Sequence, residues 1–157
     1  MLDLIIRGGD VVTPQGVAKC DVAIKGEVIA AVAAPGALAD AQADRVIDAT
    51  GKIVMPGGID PHVHMYHPFM TPDRKELLTQ GPDRVGQAAL WGGTTTLIDF
   101  AIQDFGQGLY PAYESWMKKA EGKAAIDYAF HMIVRELSDQ AAHDMDKMTR
   151  HDGITSF

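Results

Sequence analysis

The segment GGIDPHVHMYHPF, residues 57–69, holds three of the chain's six histidines, two of them one residue apart, directly behind a Met-Pro turn. It also divides the chain into two grammars. Upstream, residues 1–55 read as short Val- and Ile-rich runs separated by turns: LDLIIRGG, VAKCDVAIKGEVIAAVA and RVIDATGKIVMPG. Gly26-Glu27 fits a tight hairpin turn between residues 22–24 and 28–32. The Ala/Gly/Asp-rich residues 34–44 read as an exposed loop. Downstream, residues 56–157 alternate strand-like runs (TTTLIDFA, IDYAFHMIV, ITSF) with segments of helical length. Helices are expected over 83–91, ending at Gly92-Gly93; over 111–121, opened by Pro111 and stopped by Gly122; and over 139–150, capped by Ser138 and ended before Gly153.

Counting the run into His64 as the first strand, the order is β-α-β-α-β-α-β, which short connections make parallel with right-handed crossovers. The fold class expected is therefore α/β. A closed (β/α)₈ barrel needs about 250 residues, so the 157 residues read as the N-terminal part of a TIM-type barrel in a longer polypeptide, rather than as a complete small α/β protein.

The totals narrow the partners. With 21 acidic against 14 basic residues the net charge is −7, a field that repels phosphate backbones and argues against nucleic acid. The opening MLDLIIRGGD has too short an apolar run for a signal peptide or a bilayer span. No membrane association and a cytoplasmic location are expected. The single Cys20 reads as a buried, inert thiol.

If residues 59–64 are a strand, His62 and His64 project from one face with Val63 opposite, and both can reach one ion of the Zn²⁺ type. His-x-His alone is equally compatible with two hydrogen-bonded structural histidines. His67, before Pro68, reads as a loop residue. His131 reads as a core histidine with a hydrogen-bond partner, and His143 and His151 as solvent-facing. Asp60 and Asp99, at strand ends, suit backbone hydrogen bonding more than orientation of an imidazole. GGTTT, residues 92–96, lacks a phosphate-loop lysine and reads as a helix stop. Trp91, Trp116, Tyr113, Met145 and Met148 are expected to pack helices against the sheet.

Taken together, VMPGGIDPHVHMYHPF (54–69), GGTTTLIDFAI (92–102) and DGITSF (152–157) resemble the cyclic amidohydrolases of the amidohydrolase superfamily, closest to the dihydropyrimidinase and D-hydantoinase branch. The resemblance covers essentially the whole chain. It implies a (β/α)₈ barrel carrying a small β-sandwich, to which residues 1–55 contribute strands. It implies that His62 and His64 bind the more buried of two zinc ions, and that a carboxylated lysine expected just after Phe157 bridges both. The reaction implied is hydrolysis of a cyclic amide bond in dihydropyrimidines or 5-substituted hydantoins, giving N-carbamoyl amino acids. A hydroxide bridging the two zinc ions would be the nucleophile, and a later aspartate would move the proton. No catalytic residue beyond the metal ligands is implied within this segment. Met65 and Phe69 fall on the loop that walls the substrate's exocyclic group, or else merely pack that loop. Dihydroorotases carry an arginine where Tyr66 stands, which disfavours a carboxylate-bearing ring, while the branch often has aspartate at the positions of Tyr66 or His67. Homotetramer assembly is also implied. Alternatives of the same fold are an allantoinase-like enzyme and a non-catalytic dihydropyrimidinase-related scaffold protein.

Overall fold

The computed structural model describes residues 1–71, 73 and 76–157, which fall into two units, Met1–Pro56 and Gly57–Phe157. Among the described residues no helix is long and apolar enough to cross a membrane.

In the first unit, β1 (Leu2–Thr13), β2 (Gly16–Lys25), β3 (Val28–Ala33) and β4 (Ala43–Asp48) lie in the order β3-β2-β1-β4, and the short β5 (Ile53–Val54) also pairs with β1. The β1–β2 and β2–β3 pairs are antiparallel; β4 and β5 run parallel to β1. The β2–β3 turn falls at Gly26-Glu27 as expected, with Gly26 at φ 58°. Two features depart from the sequence reading. β1 does not stop at Gly8-Gly9 but crosses them on an irregular register step between Ile6 and Gly9, Gly8 lying at φ 72°. Gly9 is buried so tightly that a Cβ there would stand 2.5 Å from Val54 Cγ2. The exposed loop is also shorter than expected, because strand pairing resumes at Ala43.

One set of side chains in this sheet, including Ile5, Val11, Val22 and Ala23, is buried, whereas Val28, Ile29, Val32, Val46 and Ile53 are exposed. The buried Asp21 carboxylate accepts N–H bonds from Gly8 (2.9 Å) and Gly36 (3.2 Å), tying the β1 irregularity to the loop after β3. Cys20 is a free thiol, only half-buried rather than fully buried as expected.

The second unit contains β6 (Gly58–Val63), β7 (Pro68–Met70), β8 (Glu76–Leu78), α1 (Pro82–Trp91), β9 (Thr94–Ile102), α2 (Tyr110–Ala120), β10 (Asp127–Ile133) and α3 (Asp139–Lys147), which runs into a π-helical turn, Met148–Asp152. All three expected helices form within a residue or two of their predicted starts. Prolines sit in the first turns of α1 and α2, and the Ser138 side chain caps α3 by accepting from Ala141 N–H at 3.1 Å. The sheet order is β10-β9-β6, all parallel. The expected last strand, residues 154–157, is extended chain held to β10 by Met132 N–H to Ser156 O at 3.1 Å. The antiparallel β7–β8 pair was not anticipated.

Period-two alternation puts Leu97, Asp99 and Ala101 of β9, and Phe130 and Met132 of β10, on the helix-covered side. There Ala101, Phe130 and Met132 join Leu109, Trp116, Ala120, Met148 and Ile154 in the core. Trp116 and Met148 are buried, and Tyr113 and Met145 pack at the margin, as expected. Trp91 is the exception: as the last residue of α1 it lies beyond that helix's buried side and is 93% exposed.

Candidate metal centre

β6 ends at Val63, so His64 is one residue past the strand, yet the alternation carries through. The His62 and His64 rings have centroids 5.2 Å apart and planes at 85°. Phe100 of β9 packs against both, at 4.5 Å from His62 and 5.1 Å from His64. His131 of β10, register partner of Phe100, continues the row at 4.8 Å from the Phe100 ring. These rings stand on the face opposite the helix-covered core. His62, Phe100, His131 and Ser156 line a cavity of 660 Å³. His131 is thus half-buried on the histidine-bearing face and not in the core, a position that the alternation with buried Phe130 and Met132 already encodes.

The pair fits a shared cation. A Zn–N bond of about 2.0–2.1 Å plus the imidazole radius places each ring centroid about 3 Å from the ion, and a tetrahedral angle then separates two centroids by roughly 5 Å. The observed 5.2 Å matches. Among the described residues no third His, Cys, Asp or Glu completes a set. The two imidazoles alone could supply at most two ligands of a larger set.

Both neighbouring carboxylates bond backbone, as expected. Asp60 Oδ1 accepts from His62 N–H at 3.1 Å. Asp99, 1% exposed, accepts from Phe100 N–H at 2.7 Å and Met65 N–H at 3.2 Å, pinning the chain just after His64. Burial pushes the Asp99 carboxyl above the usual carboxylate range, opposed by those two N–H groups and by the nearby His64 and Lys119. Lys119, its Nζ 3.4 Å over the Trp116 ring, is held below the usual lysine range by burial, with Asp99 opposing.

The turn after His64 is clipped by Thr79, whose hydroxyl donates to His64 O and accepts from His67 N–H. Tyr66 adopts a left-handed φ of 49°, and its ring lies where a Gly81 side chain would be. His67 is in the loop, as expected, but its ring leans on His64 with centroids 4.7 Å apart. Its Nδ1 is buried without a hydrogen-bond partner among the described residues, and its pKa is lowered by burial first, then by His64 and Lys119. Met65 is buried and lines none of the described cavities; Phe69, on β7, is 45% exposed.

Residues 45–151 match the model of the amidohydrolase family. The chain belongs to that family. It is 44% identical over 155 residues to a D-hydantoinase of Streptomyces coelicolor, and 39% identical over 158 residues to the dihydropyrimidinase of Rattus norvegicus. Each alignment covers 98% of this chain but only 32% and 29% of those amidohydrolases, so the chain spans about a third of their length. The crystal structure of the dihydropyrimidinase from Brevibacillus agri superposes with a TM-score of 0.86 at 37% identity, over 99% of this chain and 32% of that one. The likeness to the dihydropyrimidinase and hydantoinase branch and the α/β barrel fold class are thereby established.

Proposed function

We propose that the chain carries the first metal-binding strand of a zinc-dependent cyclic amidohydrolase, which hydrolyses the ring amide of dihydropyrimidines or 5-substituted hydantoins to N-carbamoyl amino acids. The observation that carries the reading is the His62–His64 pair, its rings 5.2 Å apart on the open face of the sheet. His62 and His64 would hold one ion. A divalent cation there supplies Lewis acidity, polarising the amide carbonyl and making water nucleophilic near neutral pH. The chain's own part is to aim the two imidazoles: Phe100 packs on both rings, and Asp60, Asp99 and Thr79 fix the backbone on either side. The second zinc ion and the carboxylated lysine following Phe157 rest on the resemblance, as do cytoplasmic residence and a homotetramer. Of the two pocket residues, exposed Phe69 is the better placed to meet an apolar exocyclic group, because Met65 is buried. The apolar side chains left uncovered on the sheet of residues 1–55 suit one layer of a composite β-sandwich.

Comparing turnover of dihydrouracil, 5-substituted hydantoins and allantoin by the complete zinc-loaded protein tests the assignment. The first two are expected to be hydrolysed and allantoin not, with activity lost in His62→Ala. Preference for allantoin would move the substrate class, and a zinc-free, inactive protein would favour the scaffold alternative.

A further inference from the structure

Three buried or half-buried polar groups of the second unit have complete internal explanations. Asp144 accepts from Leu109 N–H and Gln140, Gln103 joins the 103–107 turn to residues 135 and 136, and Tyr110 bonds Asp152. His131 is different, because both its ring nitrogens leave its own strand. Nδ1 meets Ser156 Oγ in the segment beyond α3, and Nε2 lies 2.8 Å from the carbonyl oxygen of Pro61 on β6, across the intervening strand β9. A carbonyl only accepts, so Nε2 carries the proton.

The place it reaches is specific. The β6–β9 register breaks between Asp60 and Val63, and Pro61 has no N–H, so the ladder is irregular immediately before His62. The peptide unit joining Pro61 to His62 is nevertheless held at both polar ends: its carbonyl accepts from His131 Nε2, and its N–H donates to Asp60 Oδ1 at 3.1 Å. Fixing that peptide plane fixes the backbone torsions on its two sides, and with them the direction in which the His62 side chain leaves the strand. Phe100, between the His131 and His62 rings, closes the same assembly by packing.

We infer that His131 is a positioning residue for His62, a cross-strand clamp on the peptide that aims this imidazole at the metal. The inference rests on the metal-ligand reading of His62 and His64. It gives the inner face of β10 a role in metal affinity although His131 is not itself placed as a ligand.

The test is the zinc affinity of the complete protein, measured by competition with a chromophoric chelator, together with the visible spectrum of the cobalt-substituted form. His131→Phe keeps a ring against Phe100 and removes both hydrogen bonds. It is expected to weaken zinc binding about 10–100-fold, the usual cost of losing an outer partner of a metal ligand, and to shift the cobalt spectrum. His131→Gln places an amide nitrogen where Nε2 was and is expected to restore most of the affinity, whereas His131→Asn reaches only the Ser156 side and is not. If the Phe variant does not fold, the Gln-over-Asn order alone decides. Equal zinc affinity in these variants and in a zinc-bearing wild type, even with altered thermal stability, would overturn the clamp and leave the metal site intact. A wild type that binds no zinc would overturn the functional reading and the clamp with it.

Discussion

The sheet of Met1–Pro56 and the sheet of Gly57–Phe157 solve opposite problems with similar residues. In the first, antiparallel hairpins bury one set of side chains, and the exposed set is Val28, Ile29, Val32, Val46 and Ile53. In the second, parallel strands are covered by helices on one side, and the open side carries His62, Phe100 and His131. Exposed aliphatic side chains offer only area, whereas an imidazole-bearing face offers lone pairs at a fixed spacing. Alternation along a strand can therefore give one face to stability and the other to chemistry within two adjacent residues.

Phe130 and His131 are such neighbours, and the two faces to which they belong give the largest expected contrast. Phe130→Ala empties the helix-covered core and is expected to cost about 3–5 kcal/mol in denaturant unfolding of the zinc-free protein, while His62→Ala on the open face, under the same zinc-free conditions, changes stability by roughly 0.5 kcal/mol or less. Equal losses would erase the division of labour between the faces. Next in size is Asp21→Ala in the first sheet. It leaves the part-buried N–H groups of Gly8 and Gly36 without their acceptor and is expected to cost roughly 1–2 kcal/mol, with zinc content unchanged.

Ile29→Lys probes the face that Ile29 shares with Val22, Ile24 and Val32. If that face is one layer of a sandwich in the complete protein, thermal unfolding should register a loss of at least about 1 kcal/mol; a change below about 0.5 kcal/mol marks a free surface. The smallest effect belongs to Tyr110, whose hydroxyl donates to Asp152 at 2.7 Å. Burial, and then Asp152, push its pKa up to about 12. With the folded value raised above the ordinary value near 10, the folded state keeps the proton longer. The bond's contribution is then complete below about pH 10 and is lost as pH rises through about 12. Tyr110→Phe should cost about 0.5–1.5 kcal/mol at neutral pH and flatten the decline in melting temperature over that alkaline window.

Much of this organisation was legible in the sequence because it depends on local periodicity: the shared face of His62 and His64, the proline-led starts of α1 and α2, the Ser138 cap, and the turn at Gly26-Glu27. What escaped depends on contacts distant along the chain. Trp91 has an apolar side chain but sits at the end of α1, beyond the buried side. The passage of β1 through Gly8-Gly9 needs the Asp21 carboxylate 13 residues away, and the bond from His131 Nε2 to Pro61 O spans 70 residues. The place of His131 opposite Phe130 and Met132 was accessible by parity alone. Its partners were not.

The central claim, that His62 and His64 grip one divalent ion, is tested most directly by zinc-edge anomalous diffraction from crystals of the complete protein. The predicted result is an anomalous peak about 2.0–2.1 Å from a ring nitrogen of each histidine. Rings turned away from one another, or no peak between them in zinc-replete crystals, would contradict it.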